Sequence, residues 1–477
     1  MKVGIVTLGC DKNTVDSEYI AGALKRRGLV PVPAPREAPG AGDPAEDLGA
    51  VVINTCGFIG PAKEESIATI LHWDQWRRRQ KRRPLLAVVG CLTQRYADEL
   101  AQEMPEIDLI AGVGQFDEIA RILEDVRGQN GRRQRTNQAR RPTATFSHPF
   151  YLSVRRSPSV QIKRVMERVA LERRTVPYAI LKIADGCNYR CSFCAIPRMK
   201  GAYRSVPRHI VLHEARALLD EGARELCIVA QDTPKYGRDL YRRYRLADLL
   251  HEICAMPGDF RVRLFYLYPT GLTRELIELW KSEPKLCRYV DIPLQHLDPA
   301  MLRLMRRPSA IGEHLEWINR LRAEIPGFTI RTTFIVGHPG ETQARFRNLL
   351  SGMQTMRFER AGVFEYSDEE EVHAAKLPGR VPAREKRRRR NAAMALQRRI
   401  CAQINEARIG SVERVLVEFS DPALGLYIGR SDKEAPDVDG LVLFQSRRSI
   451  QPGEFADVRI TRADTYDVFG EEVQHPA

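Results

Sequence analysis

The sequence predicts an α/β protein of three parts: a flavodoxin-like N-terminal domain, a partial barrel of six β/α units, and a small all-β, OB-like C-terminal barrel. Over most of the chain, short β-branched runs alternate with helical stretches, which is typical of parallel sheets covered by helices. The last segment instead has four short apolar runs separated by turn residues, as in a small β-barrel. The 477 residues exceed one ordinary core, so separate domains are expected.

Residues 1–127 form the predicted N-terminal domain. Helices are expected at Val15–Arg27, where Gly28 follows as a C-cap, and at Ala62–Arg79. The predicted strands that alternate with them are Val3–Leu8, Ala50–Asn54, Leu85–Val89 and Ile107–Ala111.

Residues 128–175 are predicted to be a basic linker, disordered in part. They carry 12 basic and 2 acidic side chains and include GQNGRRQRTNQARRP, which offers little apolar surface to bury. A solvated linker is the simpler interpretation, and contact with RNA phosphates is the alternative.

Residues 176–405 form the predicted barrel, and residues 406–477 form the C-terminal domain. A full eight-unit barrel usually needs about 250 residues, so six strands in this length indicate an open, partial barrel. A basic helix, Arg384–Arg399, leads out of it. The six predicted strands are Ala179–Ala184, Glu225–Ala230, Arg261–Tyr266, Tyr289–Ile292, Thr329–Val336 and Ala361–Tyr366.

Composition narrows the class of protein. No apolar run approaches the length of a membrane span, and the N-terminus MKVGIVTLGCDK has too short an apolar stretch for a signal peptide. We therefore expect a cytoplasmic protein, in which ten cysteines are more plausibly metal ligands, reactive thiols or core residues than disulfide partners.

Cys187, Cys191 and Cys194 form a C-x3-C-x2-C run directly after a predicted strand. Three thiolates on one loop can hold three irons of a four-iron cluster and leave the fourth iron open. An open iron can chelate S-adenosylmethionine and deliver an electron to its sulfonium. The alternative is a structural zinc site, but zinc normally needs four ligands, and no fourth Cys or His lies nearby in the sequence.

Cys10, Cys56 and Cys91 each follow a predicted parallel strand of the N-terminal domain. The carboxyl ends of such strands share one edge of the sheet, where ligands bind. The three thiols could meet there and hold a second cluster; the alternative is three small core residues. The remaining cysteines, which match no such pattern and are interpreted as structural, are Cys227, Cys254, Cys287 and Cys401.

At these residues the sequence resembles the methylthiotransferase family of radical-SAM enzymes. The resemblance covers nearly the whole chain, and the family's order is an N-terminal cluster domain, a radical-SAM barrel and a C-terminal TRAM domain. The matching motifs are LGCDKNTVDSE, NTCGFI, VGCLTQRY, CNYRCSFC, AQDTPKYG, YLYP, DIPLQH and RTTFIVGHPGET.

The resemblance implies two 4Fe-4S clusters, held by the two cysteine trios, and S-adenosylmethionine as cofactors. One S-adenosylmethionine would methylate sulfur held at the N-terminal cluster. A second would be cleaved to a radical that abstracts hydrogen from the substrate carbon, which then takes the methylthio group. The cofactors supply this chemistry, so no acid–base side chain is nominated beyond the cluster ligands.

The same resemblance suggests candidate contacts for S-adenosylmethionine across the strand ends of the barrel. They are Gln231, Gln295, Arg331 and the turn Gly337-His338-Pro339-Gly340. Ordinary packing and turn formation are the alternatives for each. His338 departs from the aromatic residue usual in the family, as Val372-His373 departs from Gly-Thr and Asp11 from Pro.

Two branches of the family differ in substrate. One modifies an aspartate of the small-subunit ribosomal protein numbered twelve, and the motifs LGC-x-KN-x-VDSE and GRSDKEAPDVDG resemble that branch. Residues 411–477 have 7 basic and 13 acidic side chains, which suits a basic protein partner better than RNA. An electron donor is a further expected partner. The alternatives are the branch that modifies a tRNA adenosine, favoured by the basic linker and helix, and a non-catalytic iron-sulfur or RNA-binding ribosome factor.

Overall fold

The computed structural model describes residues 1–38, 47–133, 150–151, 168, 176–268, 270–307, 311–421 and 423–473. The chain forms two compact units. The first contains Met1–Arg174 with the short segments Gly186–Asn188 and Ala195–Ala202, and the second contains Thr175–Asp185, Tyr189–Cys194 and Tyr203–Ala477. Within the described residues, no helix combines the length and the apolar character that a membrane crossing requires.

A parallel six-stranded sheet forms the centre of the first unit, in the order β2-β1-β3-β4-β5-β6. The α/β prediction for this region is confirmed. β2 was not predicted because its VPVP sequence contains two prolines, which are uncommon inside strands. The strands are β1 (Lys2–Thr7), β2 (Val30–Pro33), β3 (Leu48–Thr55), β4 (Leu85–Gly90), β5 (Leu109–Ala111) and β6 (Phe150–Tyr151).

Helices bury both faces of this sheet, which explains why its strands are continuous apolar runs. Successive side chains point to opposite faces: Val52 packs in one core with Leu24 of the first helix, whereas Val51 packs in the other with Trp73 of the second. The four helices are α1 (Asp11–Arg26), α2 (Gly60–Arg78), α3 (Cys91–Glu103) and α4 (Phe116–Arg133).

Most of the predicted linker, residues 128–175, lies outside the described residues. Its described parts are structured: α4 continues past residue 127 to Arg133, and β6 pairs with β5 at the edge of the sheet. The boundaries proposed for the linker stay a prediction.

A second parallel sheet, in the second unit, has the strand order β14-β13-β12-β11-β10-β7. β7 and β14 are its two edges, so the predicted open barrel of six β/α units is confirmed. Its strands, with the small β8–β9 pair, are β7 (Tyr178–Lys182), β8 (Ala184–Asp185), β9 (Arg204–Ser205), β10 (Glu225–Val229), β11 (Arg261–Leu264), β12 (Leu286–Asp291), β13 (Thr329–Val336) and β14 (Arg360–Glu365).

Six helices of this region bury one face of the sheet in one large apolar core. They are α6 (Arg208–Asp220), α8 (Leu246–Cys254), α9 (Arg274–Ser282), α11 (Ile311–Glu324), α12 (Gln343–Met356) and α13 (Ala383–Glu406), the last of which is longer than the predicted basic helix. The short helices whose described side chains lie outside this core are α5 (Ile196–Lys200, which belongs to the first unit), α7 (Arg238–Tyr241) and α10 (Pro299–Leu304).

The C-terminal segment closes into a five-stranded barrel in the order β15-β16-β17-β19-β18, as predicted for this region. Alternating residues such as Val415, Val417 and Phe444 fill its interior. The strands are β15 (Val412–Asp421), β16 (Leu426–Arg430), β17 (Val442–Gln445), β18 (Phe455–Ala463) and β19 (Val468–Glu472).

Buried ion pairs hold this C-terminal barrel against the amino-terminal ends of the strands of the second parallel sheet. Glu225, at the start of β10, is fully buried and lies within ion-pair distance of Arg261 (2.6 Å), Arg263 (2.7 Å) and Arg430 (3.0 Å). Burial alone would raise the pKa of Glu225, but the three guanidinium groups hold it well below its usual value. The Glu225 carboxylate is therefore ionised, and the three arginines compensate its negative charge.

Candidate functional site

Three neighbouring strands of the first sheet end beside a cysteine. Cys10 follows β1 as the N-cap of α1, Cys56 follows β3 directly, and Cys91 is the first residue of α3 after β4. Because β1, β3 and β4 are adjacent and parallel, their carboxyl ends bring these cysteines to the same edge. Gly9, next to Cys10, lies against Cys56, and Cys91 Sγ lies 3.9 Å from the side chain of Asn13 in the first turn of α1.

Glycines beside the cysteines allow the three loops to approach closely. A Cβ atom on Gly9 would lie 2.8 Å from Cys56 Cβ, and one on Gly57 would lie 2.7 Å from the Leu92 backbone. Gly90 has a φ of +104°, and a Cβ there would lie 2.5 Å from an oxygen of the Asn54 side chain. The pairing of each cysteine with a glycine is a sequence signal that the motif-based interpretation did not use.

Two asparagines tie these loops together. The Asn13 amide donates hydrogen bonds to the carbonyl oxygens of Leu8 (2.9 Å) and Thr55 (3.1 Å), and its Oδ1 lies 3.9 Å from Cys91 Sγ. Asn54 donates in return to the Asn13 carbonyl oxygen at 2.9 Å. The polar residues of the first two motifs thus hold the cysteine loops in register.

The environment of Cys91 and Cys56 disfavours free thiolates. Burial raises the pKa of Cys91 to about 12, and Lys200 is the main charge that opposes this rise. Burial also raises the pKa of Cys56. A metal ligand must be a thiolate, so metal binding here would release protons and supply the missing positive charge.

Among the residues that the structure describes, no three Cys, His, Asp or Glu side chains are already arranged around a single metal ion. In an iron-sulfur cluster, each cysteine binds an iron of its own. The assignment of either trio as cluster ligands stays a prediction.

The second predicted trio lies on the loop after β8. Cys187 donates its backbone N–H to the Gly201 carbonyl oxygen at 3.1 Å, and the Cys194 N–H donates to the Cys191 carbonyl oxygen at 3.2 Å. All three cysteines are half-buried, whereas the four cysteines interpreted as structural are buried.

Ser192, between two of these cysteines, is clamped by three different segments. Its N–H donates to the Met305 carbonyl oxygen at 2.9 Å, its carbonyl oxygen accepts from the Ala374 N–H at 2.8 Å, and its Oγ lies 2.9 Å from His338 Nε2. Burial lowers the pKa of His338 to about 4, so the ring is neutral. Because Nδ1 faces the Pro339 carbonyl oxygen, Nε2 accepts the Ser192 proton. The unusual His338 therefore positions the cysteine loop.

Buried polar atoms without partners collect at the carboxyl ends of the barrel strands. In the described part of the chain, these include oxygens that have no hydrogen bond although they are out of contact with solvent. They follow β10, β11 and β12 and belong to Gln231, Asp232, Tyr268 and Gln295. Buried polar groups normally have partners, so this end suits a polar ligand with cationic and hydroxyl groups, such as S-adenosylmethionine.

Gln231 and Gln295, both predicted contacts, are at this end. The Gln231 amide donates to Asp185 at 3.1 Å, which leaves its oxygen for a ligand. Gln295 has a φ of +72°, a strained conformation that is more often found at functional sites. Asp232 was not predicted, although it directly follows Gln231. Burial raises its pKa to about 7, and the charges of Lys235 and Arg307 oppose this rise.

The polar backbone groups of the turn at Gly337 and Pro339 have hydrogen-bond partners among neighbouring residues. The Gly337 N–H donates to Glu341 at 2.5 Å, and the Pro339 carbonyl oxygen faces His338 Nδ1 at 2.9 Å. A Cβ on Gly337 would lie 2.3 Å from the Lys386 side chain. Packing against Lys386 thus explains why residue 337 is a glycine. Contact of Gly337 and Pro339 with a cofactor stays a prediction.

Arg331 does not join the other candidates. It lies in the amino-terminal half of β13, where its guanidinium donates to the Asp439 carboxylate and, at 3.2 Å, to the Val438 carbonyl oxygen. The C-terminal barrel therefore occupies this side chain at the end of the sheet away from the cysteines. The prediction that Arg331 contacts S-adenosylmethionine is not supported, because a strand motif does not reveal which end of the strand bears the ligand.

Arg307 is a further residue that the sequence interpretation missed. Its guanidinium lies over the Tyr268 ring, 3.9 Å from the centroid, and its Nη1 is 3.8 Å from Cys191 Sγ. It also donates to the Pro293 carbonyl oxygen at 2.5 Å. Arg307 thus joins the cysteine loop to the ends of β11 and β12, a relation between distant segments that only the fold reveals.

Comparison with known families agrees with this architecture. Residues 2–112 match "Uncharacterized protein family UPF0004", residues 181–351 match the "Radical SAM superfamily", and residues 409–473 match the "TRAM domain". The fold and the cysteine loops therefore define a radical SAM enzyme with an N-terminal α/β domain and a C-terminal TRAM barrel. Enzymes of this class use 4Fe-4S clusters and S-adenosylmethionine.

Full-length relatives narrow the class further. The chain is 42% identical to "Ribosomal protein uS12 methylthiotransferase RimO" of Heliobacterium modesticaldum over 100% of this chain and 96% of the relative. It is 43% identical to the protein of that name from Pelotomaculum thermopropionicum over 99% of both chains. The chain belongs to the RimO family of methylthiotransferases.

Solved structures support the fold alone. The radical S-adenosylmethionine methyltransferase TsrM from Kitasatospora setae aligns with a TM-score of 0.53 at 17% identity, over 76% of this chain and 72% of that chain. The cobalamin-dependent radical enzyme OxsB aligns with the same TM-score at 10% identity, over 83% of this chain and 56% of that chain.

Proposed function

We propose that this chain adds a methylthio group to the β-carbon of an aspartate in ribosomal protein uS12. One observation supports this most: one cysteine trio follows three adjacent parallel strands and a second lies on the loop after β8, in a chain that matches RimO proteins over its whole length. Each trio would hold a 4Fe-4S cluster and leave one iron open for a ligand.

Cys187, Cys191 and Cys194 would hold the cluster that binds S-adenosylmethionine. When bound, the cluster and S-adenosylmethionine would supply one-electron cleavage of that cofactor, and hence hydrogen abstraction from the substrate. The chain's own residues position and enclose the reactants. Gln231 and Gln295 would offer oxygens to the cofactor, and the Ser192 clamp would fix the cysteine loop.

Cys10, Cys56 and Cys91 would hold the second cluster, which when bound would supply the site for the sulfur that is transferred. The glycines beside these cysteines let the three loops approach, and Asn13 and Asn54 fix their spacing. This part of the chain thus binds and orients sulfur without acid–base catalysis.

The negative charge of residues 411–477 does not point to a basic protein partner, contrary to the expectation from the sequence. Several acidic side chains behind the −6 charge of residues 411–477 are buried in ion pairs, including Glu418 with Arg430 and Glu434 with Arg360. They stabilise the fold and are not available to steer a partner. The proposal of uS12 as substrate, and of a cytoplasmic location with a separate electron donor, therefore rests on the family relationship.

The test uses reduced, cluster-loaded full-length protein under anaerobic conditions. With S-adenosylmethionine, sulfide and uS12 or the ribosomal small subunit, we expect 5'-deoxyadenosine and a methylthio group on one aspartate, detected by mass spectrometry of uS12 peptides. The formation of neither product would contradict the proposal.

One observation favours a tRNA substrate instead. Arg384, Arg387 and Arg390 are exposed on α13 and could contact phosphates. The same assay with tRNA decides this: a methylthio adenosine together with unmodified uS12 would overturn our choice of substrate.

A further inference from the structure

A lysine at the carboxyl-terminal end of the barrel strands rests on aromatic rings. Lys235 lies in the motif AQDTPKYG, in the turn that follows β10, and it is half-buried. Its Nζ lies 5.1 Å from the centroid of the Tyr189 ring and 5.8 Å from that of the Tyr203 ring. Within the described part of the chain, this ammonium has no ion pair and donates no hydrogen bond.

The backbone holds this lysine in a fixed place. Lys235 ends the short 3₁₀ turn Thr233–Lys235, and its N–H donates to the Asp232 carbonyl oxygen at 3.2 Å. Thr233 ties the turn to the residues directly after β11. Its N–H donates to the Tyr266 carbonyl oxygen at 3.3 Å, and its Oγ1 donates to the Phe265 carbonyl oxygen at 2.6 Å.

Two stacked tyrosines separate this lysine from the arginine beside the cysteine loop. Tyr189, two residues before Cys191, stacks on Tyr268 with 4.1 Å between the ring centroids. The Arg307 guanidinium lies 3.9 Å from the centroid of Tyr268, and its Nη1 lies 3.8 Å from Cys191 Sγ. Lys235 lies over Tyr189, the other ring of the pair. Arg307 is therefore the cation at the cysteine thiol, and Lys235 is a second cation at the same end of the barrel.

The carboxylate nearest to Lys235 along the chain is not its partner. Asp232 is 1% exposed, and neither of its oxygens accepts a hydrogen bond from the described residues. No ion pair joins it to Lys235 in the part of the chain that the structure describes. A buried charge without a partner costs free energy, so each of these two groups needs a ligand. Such a ligand would supply an anion to Lys235 and hydrogen-bond donors to Asp232.

The proposed substrate carries an anion next to its reacting atom. In an aspartate side chain the β-carbon is bonded directly to the carboxylate carbon, so a cation that holds the carboxylate also fixes the β-carbon. Accurate placement of the reacting carbon is a large part of what an enzyme contributes to a reaction. S-adenosylmethionine has a carboxylate as well, but Arg307 and not Lys235 is the cation at Cys191, in the loop that would bind that cofactor.

We propose that Lys235 binds the side-chain carboxylate of the target aspartate, and that it thereby selects aspartate and positions the β-carbon. This rests on the proposed function, since it assigns the residue that recognises the substrate side chain used there. The interaction is charge-assisted hydrogen bonding from Nζ, which has three N–H donors.

The experiment compares substrate binding by the full-length, cluster-loaded protein and its variants. The variants are Lys235→Met, Lys235→Arg and, as a control, Lys25→Met at an exposed position of α1. The probes are fluorescently labelled uS12 and uS12 whose target aspartate is replaced by asparagine. Their dissociation constants are measured anaerobically by fluorescence anisotropy, with S-adenosylmethionine present and the clusters oxidised so that no turnover occurs. A second readout is the 5'-deoxyadenosine that the reduced proteins form without uS12.

We expect the wild type to bind the asparagine form about tenfold more weakly than the aspartate form, since a hydrogen bond to a charged group is lost. Lys235→Met should bind both forms equally, with the affinity of the wild type for the asparagine form. Lys235→Arg keeps the charge and should keep most of the preference, and Lys25→Met should behave as the wild type. Formation of 5'-deoxyadenosine without uS12 should be the same in all four proteins, because the lysine contacts the substrate and not the cofactor.

A Lys235→Met protein that still prefers the aspartate form as strongly as the wild type does would overturn the inference, as would a wild type without this preference. Loss of 5'-deoxyadenosine in Lys235→Met, with the preference intact, would assign the lysine to the carboxylate of S-adenosylmethionine instead. If Lys235→Met fails to load iron, Lys235→Gln is measured in its place, with the same outcomes.

This outcome is separate from that of the proposed function. A wild-type chain that neither binds nor modifies uS12 would contradict the function, and the role of Lys235 with it. A wild-type chain that modifies uS12, together with an unchanged preference for aspartate in Lys235→Met, would contradict only the role of Lys235.

Discussion

At the amino-terminal end of β10 a buried carboxylate is fully paired, whereas beyond its carboxyl-terminal end a second buried carboxylate has no hydrogen bond within the described residues. Glu225 contacts three arginines at one end, while both oxygens of Asp232, at the other end of the same strand, have no hydrogen bond in the described part of the chain. The paired end is complete without a ligand. The unpaired end costs folding free energy unless a ligand completes it.

The largest expected effect comes from the cysteines that would hold ligands at the two carboxyl edges. Cys191→Ala should abolish both 5'-deoxyadenosine and methylthio product, because no iron is left to bind the cofactor. Cys10→Ala should abolish only the product. Product analysis by mass spectrometry checks this, with Cys254→Ala, a buried cysteine in the barrel core, as the matched control. Equal loss of 5'-deoxyadenosine in both ligand variants would argue against two separate clusters.

The paired end can be broken at Glu225. Glu225→Gln leaves three guanidinium groups without their shared carboxylate, so we expect the free energy of unfolding to fall by about 3–5 kcal/mol. Denaturant unfolding measures this, and Glu316→Gln at an exposed position of α11 is the control. A change below about 1 kcal/mol would mean that water or local rearrangement compensates the arginines.

The unpaired end can be tested at Asp232 with protein prepared without iron. Its pKa of about 7 lies above the value near 4 of an unfolded chain, so ionisation costs stability as the pH rises from about 4 to 7. Wild type should lose of the order of 2 kcal/mol between pH 5.5 and 8 from this group, and Asp232→Asn should not. Denaturant unfolding of both proteins at the two pH values decides; identical pH dependence would refute the burial argument.

A smaller effect is expected where the cysteine loop is clamped. Ser192→Ala removes the proton that His338 Nε2 accepts, which should cost about 1–2 kcal/mol of local stability. The readout is faster iron loss to a chelator, with Ser351→Ala, on α12, as the control. An unchanged rate of iron loss would show that the two backbone hydrogen bonds of Ser192 suffice.

The sequence allowed the strand–cysteine relation to be predicted because both its parts are local. An apolar run such as GIVTLGC predicts both a buried parallel strand and the residue at which it ends. Because β1, β3 and β4 are adjacent and parallel, the cysteines that follow them lie at the same edge of the sheet. The edge strand β2 was not predicted because it contains two prolines, which lack a backbone N–H and are tolerated at an edge, where no further strand needs that donor.

Interactions between distant segments could not be predicted in this way. Arg331 lies in a motif together with the cofactor turn, yet the C-terminal barrel occupies its side chain through Asp439. Arg307 contacts Cys191 only because of the fold, and this residue has no distinctive local pattern in the sequence. The net charge of residues 411–477 gave an unsound reason to expect a basic partner, because net charge does not reveal which acidic side chains are already in ion pairs.

Iron content combined with Mössbauer and EPR spectroscopy on anaerobically reconstituted full-length protein shows directly how many clusters the chain holds. Two four-iron clusters predict about eight irons per chain. Replacing either cysteine trio with alanine should remove about half, and only the Cys187 trio should be needed for S-adenosylmethionine to alter the spectrum. One cluster per wild-type chain, or bound zinc in place of iron at either trio, would contradict the account.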